Sequence, residues 1–384
     1  MFCKTPLEAG GQLLHWHTDG PDYLGQMGNI ACDGMYAPPA SNYDVRANER
    51  RVELWHAALN GRGRFLPAHT PQALLDAFKS ILGNILVFNA QQRVSLAVSS
   101  RQLRTDGMAF TASFDSEHWS GDVAGFSLDA TTLMPGDSPQ WRATAWLDAP
   151  TLLHGSRHIF THDGAKGTQF LWDELSAAQK SQLRGTANDA AAQQLLNYVR
   201  GDRSAEAPVG PLWARISRLG HIVNSELWHQ GGASRLSFEN AGHDNFRNSA
   251  AGRPHTVHVG ANDGMLHAFD AATGAERFAY VPRGVYTGLS ALPNTAYKPK
   301  YLVDGSPFTA DADLAWTSGS APASTQDWHT LLVGSLAAGG RGYFVIDVTD
   351  PESVTPDKVL LDRTFDANSP GDFTGSEDVG HLFG

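Results

Sequence analysis

The stretch from His255 to Pro282, HTVHVGANDGMLHAFDAATGAERFAYVP, constrains the fold more than any other part of the chain. Its short runs of apolar residues predict half-buried β-strands. Two polar turns, Asn262-Asp263-Gly264 and Thr273-Gly274, separate these runs, because Asn, Asp and Gly accept the positive φ of tight turns. Three short strands cannot bury their own faces, so the stretch predicts one unit of a larger β-meander array.

The same order of strands and turns recurs further along the chain. In 328–351, one strand ends at Val333-Gly334, a glycine-rich turn follows, and a second strand ends at Asp347, as the earlier one ends at Asp270. Residues 107–147 show a looser copy, with an alternating strand predicted over 141–147. A short apolar strand is also predicted at Ile222-Val223. The residues predicted to fix the blade turns are Gly260, Asp263, Gly264, Asp270, Thr273, Gly274, Gly334 and Asp347.

The order of these elements resembles a blade of the quinoprotein-like β-propellers. In that family an Asp and a Thr-Gly turn fix each blade, and an aromatic residue docks onto the neighbouring blade. Phe278 stands where a Trp is usual. The resemblance implies a mainly β fold, a modified quinoprotein-like β-propeller that is incomplete at its C-terminus. An isolated meander within another β-sandwich is the alternative.

Periodicity divides the chain near residue 48. Residues 1–48 show no persistent period and are predicted to be an irregular segment, the remnant of a larger N-terminal region. Residues 49–384 are predicted to form the truncated propeller domain. A helical insertion is predicted at about 173–201, with one helix over 173–184 and a second beginning after Asn188.

The tripeptide Arg200-Gly201-Asp202 has two interpretations. As an exposed turn with opposite charges it is a candidate adhesion tripeptide of the kind integrins bind. As a helix terminus it places a cationic side chain in the last helical turn and a left-handed glycine at the C-cap. The helical pattern that precedes it favours the second interpretation.

Charge and hydropathy exclude several classes of partner. The formal net charge of −11 argues against binding to nucleic acid or to an anionic membrane surface. No apolar run approaches the length of about 18 residues that a transmembrane helix requires. The N-terminus lacks the basic and apolar segments of a secretion signal, which we expect to have been lost by truncation.

Two groups of residues near the start of the chain, a pair of cysteines and a pair of histidines, each have two interpretations. Cys3 and Cys32 are either spare thiols or one disulfide, and the disulfide would need an oxidising compartment. His15 and His17 could share one face of a strand and bind a metal with the nearby Asp19 and Asp22. An ordinary polar loop with solvated histidines is the favoured interpretation.

Six stretches resemble, in order, the C-terminal region of the type IV pilus PilC/PilY family: LWHAALNGRGRF, NYVRGDRS, VHVGANDGMLHAFDAATG, VDGSP, HTLLVGSLAAGGRGYFVIDVTDP and EDVGHLFG. The resemblance extends from about residue 50 to the end. It implies a secreted, non-catalytic protein of the fimbrium or cell surface, exported through the periplasm. It also implies roles in pilus assembly, adhesion and twitching motility, with minor pilins at the pilus tip or a host cell surface as partners.

The resemblance implies calcium as well, but the chain departs from the family here. The acidic calcium loop of the family is expected beyond Gly384. Asp311 and Asp313 are the nearest carboxylates within the chain, and Ala315 breaks that series. Calcium needs several closely spaced oxygen ligands, so no ligand residue is assigned.

An enzyme on the same scaffold, a quinone-cofactor dehydrogenase, is the main alternative, since fold alone does not decide function. Such enzymes bring a vicinal cysteine pair, which this chain lacks. The sequence also lacks a nucleophile elbow, a phosphate-binding loop and a His-Glu-x-x-His motif. A periplasmic scaffold of the outer-membrane assembly type would share the blade repeat, but the stretches at 54–65 and 328–351 favour the pilus family.

Overall fold

A computed structural model provides the structure of the chain. It describes residues 107–128, 135–233, 241–315, 325–366 and 379–382, and the backbone of three further strands at 7–9, 12–14 and 92–98. The chain divides into two compact units, Met1–Ala90 and Gln91–Gly384, so the boundary predicted near residue 48 lies inside the first unit. Within the segment predicted to be irregular, β1 (Leu7–Ala9) and β2 (Gln12–Leu14) form an antiparallel hairpin.

Several predictions for the first unit fall outside the described residues. These are the cysteine alternatives and the candidate metal ligands at His15, His17, Asp19 and Asp22. They stay predictions.

The second unit contains the remaining strands and all of the described helices. The strands are β3 (Gln92–Val98), β4 (Met108–Asp115), β5 (Ser120–Ser127), β6 (Trp141–Arg142), β7 (Ile159–His162), β8 (Gly167–Gln169), β9 (Trp228–Gln230), β10 (Thr256–Ala261), β11 (Met265–Asp270), β12 (Glu276–Tyr280), β13 (Phe308–Asp313), β14 (Trp328–Ser335), β15 (Gly340–Arg341), β16 (Tyr343–Asp347), β17 (Val359–Asp362) and β18 (Phe365–Asp366). The helices are α1 (Ala143–Leu147), α2 (Ala177–Arg184), α3 (Asp189–Arg200), α4 (Ala241–Ser249) and α5 (Tyr286–Leu289). None of the described helices combines the length and apolarity that crossing a membrane requires.

Three successive meanders of four antiparallel strands form the framework of this unit. Blade 1 is β3-β4-β5-β6, blade 2 is β9-β10-β11-β12 and blade 3 is β13-β14-β16-β17. The hairpin β7-β8 extends blade 2, because β7 pairs in parallel with β12. The first strand of blade 2 lies next to the first strands of both neighbours, as radially arranged blades require. The prediction of a mainly β fold is confirmed.

Two hydrophobic clusters fill the interior. One lies between blades 1 and 2 and includes Phe110, Trp141, Val257 and Phe269. The other joins blades 2 and 3 to the helical insertion and contains residues such as Leu196. Strand β10 is buried at every position, which fits a strand covered on both faces. The core therefore sits at the contacts between blades.

The helical insertion contains the two predicted helices, but the first of them begins later than predicted. α3 begins after Asn188, whose side chain accepts a hydrogen bond from Ala191, and ends at Gly201 with φ +110°. The predicted helix 173–184 is shorter than expected. Its first residues form a 3-10 turn, and α2 begins only at Ala177, because Ser176 and Gln179 form a reciprocal capping box there.

Two strand predictions were wrong. The strand predicted over 141–147 ends after Arg142, and α1 follows it. The backbone N–H and hydroxyl of Thr144 both donate to Asp122, which turns the chain out of the sheet. The strand predicted at Ile222-Val223 is not formed. Ile222 is buried in the core without strand pairing, and β9 begins at Trp228 instead.

Candidate functional site

Aspartates at the ends of blade strands close the turns that follow them. The Oδ1 of Asp270 accepts hydrogen bonds from the backbone N–H and the hydroxyl of Thr273, at 2.8 and 2.9 Å. Similar pairs of bonds occur at Asp347 with Thr349 and at Asp362 with Thr364. The third of these was not singled out from the sequence, although its Asp-x-Thr spacing is the same as that of the second. These aspartates are capping residues of turns.

Trp141 forms the junction between blades 1 and 2. Its Nε1 donates to the carbonyl of Ala271 at 3.0 Å, and its ring lies between two glycines. A Cβ atom at Gly125 or Gly274 would come within 2.4 Å of the ring. Gly274 also has φ +74°. The aromatic docking that the resemblance implies is therefore made in this chain by Trp141.

A side-chain amide forms the matching contact between blades 2 and 3. Gln230 Nε2 donates to the carbonyl of Val348 at 2.7 Å, and Val348 follows its turn aspartate as Ala271 follows Asp270. Phe278, expected at the docking position, instead lies parallel to Phe160 within its own sheet, with 6.1 Å between ring centroids. Because β7 extends blade 2, the ring of Phe278 packs against Phe160 of the same sheet.

Three predicted glycines lie where a neighbour leaves no room for a side chain. A Cβ at Gly260 would lie 2.6 Å from the carbonyl oxygen of Val303, and one at Gly334 would lie 2.3 Å from the ring of Phe344. Gly264 combines φ +96° with a Leu289 methyl group 2.4 Å from the Cβ position. Such positions accept only glycine without movement of the neighbour.

Gly264→Ala is expected to lower the free energy of unfolding by about 2–4 kcal/mol, because left-handed strain and overpacking add. Gly164→Ala is the matched control. Gly164 also has positive φ, +110°, but the nearest atoms to its Cβ position are those of the Arg283 guanidinium at 3.4 Å, so a smaller loss of about 1–2 kcal/mol is expected. Denaturant unfolding measures both. Equal losses at the two positions would contradict the contact with Leu289.

A row of buried charged side chains crosses blade 2. Arg157 Nε and Nη2 donate to the two carboxylate oxygens of Glu276 at 2.7 and 2.8 Å. His267 lies between Glu276, 2.8 Å from its Nδ1, and Asp263, 3.1 Å from its Nε2. The side chains of Arg157, His267 and Glu276 are at most 1% exposed. Of these four residues, only Asp263 was assigned a role from the sequence, because residues 157 and 276 are far apart along the chain. We call these four residues the buried charge network.

The buried charge network makes stability depend on pH in both directions. Burial opposes ionisation of Glu276, but Arg157 and His267 outweigh it and lower its pKa from 4.5 to about 2. Burial also opposes protonation of His267, but Asp263 and Glu276 outweigh it and raise its pKa from 6.5 to about 9. The carboxylate contribution is therefore complete above pH 4.5 and lost as the pH falls towards 2. The imidazolium contribution is complete below pH 6.5 and lost as the pH rises through 9.

The network is therefore expected to stabilise the protein most between pH 4.5 and 6.5. The stability difference between wild type and His267→Gln, measured by denaturant unfolding at about pH 5.5 and about pH 10, should shrink at the higher pH. A difference that is the same at both pH values would show that the charge of His267 contributes nothing.

The tripeptide Arg200-Gly201-Asp202 forms a helix terminus whose arginine faces the interior. The guanidinium of Arg200 donates to four backbone carbonyl oxygens between residues 154 and 170, and the residue is 2% exposed. Gly201 is the left-handed C-cap of α3, and Asp202 accepts hydrogen bonds from Ser204. The hypothesis of a displayed adhesion turn is corrected accordingly, because the arginine is unavailable to a partner in this conformation.

A cleft lined by aromatic side chains opens beside the buried charge network. The rings of Trp213 and Tyr297 stack 4.8 Å apart, and the ring of Trp119 meets His221 edge-on at 5.5 Å. The cavity volume of the cleft is about 30 Å³, and Asp263 lies in its lining. We call it the aromatic cleft. No sequence pattern indicated this cleft, because its lining comes from separate segments between residues 118 and 297.

The carboxylates considered for calcium accept hydrogen bonds within the fold, although Oδ2 of Asp313 is buried with no partner among the described residues. Both oxygens of Asp311 are hydrogen-bonded, to Thr330 and to His243, and Oδ1 of Asp313 accepts two backbone N–H groups. Within the described ranges, no group of three or more His, Cys, Asp or Glu side chains is arranged to hold a metal ion.

Three successive four-stranded meanders joined by docking contacts are blades of the kind that form a β-propeller. Residues 219–383 match the family described as the PilY1 beta-propeller domain. Over 358 residues the chain is 35% identical to the type IV pilus biogenesis factor PilY1 of Pseudomonas aeruginosa strain PAK, covering 88% of this chain and 30% of that protein. A homolog from Xylella fastidiosa strain Temecula1 is 33% identical over 309 residues, 78% of this chain and 23% of that protein.

The crystal structure of the Pseudomonas aeruginosa PilY1 C-terminal domain is 33% identical and matches 40% of this chain and 27% of that chain, with a TM-score of 0.26. The chain contains a domain that matches the PilY1 β-propeller family, and it is similar to type IV pilus biogenesis factors over most of its own length. The family match confirms the prediction of a β-propeller. The chain spans about 30% of the length of the Pseudomonas relative.

Proposed function

We propose that the chain is the propeller region of a type IV pilus biogenesis factor and that it acts by binding rather than by catalysis. The single observation that supports the proposal best is the 35% identity, over 88% of this chain, to a protein of that name. The blades would supply a rigid support, and the helical insertion and loops would supply contact surfaces. The proposed partners are minor pilins at the pilus tip, reached through the periplasm.

Two finer roles follow from the family resemblance. We propose adhesion, with a host cell surface as a second partner, and support of twitching motility. Calcium binding is proposed from the family resemblance and is assigned to no residue of this chain, because Asp311 and Asp313 accept hydrogen bonds within the fold.

Deletion of the gene in the bacterium that encodes the chain is expected to abolish surface pili and twitching. Electron microscopy of the cells and the diameter of the twitching zone measure the two outcomes. The wild-type gene and a gene carrying Glu352→Gln, an exposed position, should both restore them. Normal piliation and normal twitching after deletion would overturn the proposal.

A further inference from the structure

We propose that the aromatic cleft binds a peptide segment of a partner protein, one that carries a carboxylate next to an aromatic or large apolar side chain. The proposal names the chemistry that the chain recognises, which goes beyond a role in pilus biogenesis. It rests on the geometry and charge of the cleft and does not require the pilus assignment.

The walls of the cleft suit an apolar side chain. Trp119, Trp213 and Tyr297 are only partly buried, although aromatic rings of this size usually bury most of their area. Trp119 is held at φ +51°, a left-handed conformation that side chains with a Cβ rarely adopt. Backbone strain of this kind concentrates at binding sites.

The lining contains hydrogen-bond donors that have no partner among the described residues. The indole N–H groups of Trp119 and Trp213 donate to no residue that the structure describes, and the hydroxyl of Ser217 only accepts, from Leu219. The carboxylate of Asp263 is already occupied, because it accepts from His267 and from two backbone N–H groups. A ligand that pairs with this lining must therefore bring acceptors.

Arg218 supplies a positive charge without a carboxylate partner. Its guanidinium donates to backbone carbonyls, at Gly201, Leu147 and Ala149, and makes no ion pair within 4 Å among the described residues. Neighbouring arginines do have partners: Arg203 pairs with Asp148 and Arg215 with Glu206. An anionic group of a ligand would complete the pairing at Arg218.

The electrostatic surroundings favour one carboxylate over a polyanion. Burial and the charges of Arg203, Arg157 and Arg215 lower the pKa of Arg218, and the charge of Asp148 opposes them, so Arg218 lies among three other arginines and one carboxylate. The chain as a whole carries a net charge of −11, which repels nucleic acids and other polyanions. A peptide with a single acidic side chain flanked by aromatic rings matches both conditions.

The test uses the full chain and two capped peptides, acetyl-Gly-Phe-Asp-Phe-Gly-amide and its neutral counterpart with Asn in place of Asp. Isothermal titration calorimetry is expected to show at least about tenfold tighter binding of the acidic peptide, since hydrogen bonds to charged groups are the stronger ones. Trp213→Leu should weaken binding of both peptides about tenfold or more. Arg218→Gln should remove the preference for the acidic peptide.

Trp172→Leu is the matched control. Trp172 is a partly buried tryptophan that stacks under Lys180 outside the cleft, so its replacement should leave both affinities unchanged. Circular dichroism verifies folding, and Trp213→Leu still tests the site if Arg218→Gln does not fold. Equal affinity for the two peptides, no binding of either, or full binding by Trp213→Leu would overturn the proposal. Piliation is measured separately, so a failure here leaves the proposed pilus function untouched.

Discussion

Trp141→Ala is expected to lower the free energy of unfolding by about 3–5 kcal/mol, the cost of deleting a large buried aromatic side chain. The ring is 8% exposed and fills the junction between blades 1 and 2. Gly125 and Gly274 on either side have no side chains that could close the cavity. The substitution also removes the hydrogen bond to Ala271. Guanidinium unfolding of the full chain, followed by circular dichroism, measures the loss.

Trp141→Phe separates the two contributions. It keeps an aromatic ring between the glycines and removes the indole N–H, so we expect a loss of about 1–2 kcal/mol, mainly from the hydrogen bond and the smaller ring. A loss below about 1 kcal/mol for the alanine variant would mean that the blades are held together elsewhere. In that case the contact of Trp141 would not be what holds blades 1 and 2 together.

Local patterns were enough to predict three strands of blade 2 and two strands of blade 3. The strands of 255–282 and 328–347 are where alternation and turn residues placed them, because each turn is closed by bonds between neighbours in sequence, as between Asp270 and Thr273. The same holds for α3, whose cap Asn188 and terminator Gly201 act within one helix. Hydrogen bonds between residues that are close in sequence can therefore be predicted from the sequence.

Contacts between distant segments were not predictable in the same way. Trp141 docks on a turn 130 residues later, and the alternating pattern that follows it was mistaken for a strand because the bond from Thr144 to Asp122 could not be foreseen. The aromatic cleft depends on five or more separate segments. In a single sequence, nothing distinguishes Trp213 in the cleft from an ordinary core tryptophan.

Glu276→Gln is expected to cost about 3–5 kcal/mol of stability, because it leaves the guanidinium of Arg157 buried without a counter-charge. The change is nearly isosteric, so it alters charge rather than packing. It also removes one of the two carboxylates that keep His267 protonated, and the pKa of His267 should fall from its raised value of about 9. Denaturant unfolding at about pH 6 measures the loss, and NMR titration of the imidazole measures the pKa.

Glu352→Gln is the matched control, because Glu352 also pairs with an arginine, Arg277, at 3.5 Å but is 62% exposed. An exposed pair is worth at most about 1 kcal/mol, and its contribution should decline further with added salt. The loss from Glu276→Gln should persist in salt, since its partners are shielded from water. If both substitutions cost the same, or if salt removes the effect at Glu276, the buried charge network is accessible to solvent. Its pH dependence would then be that of a surface ion pair.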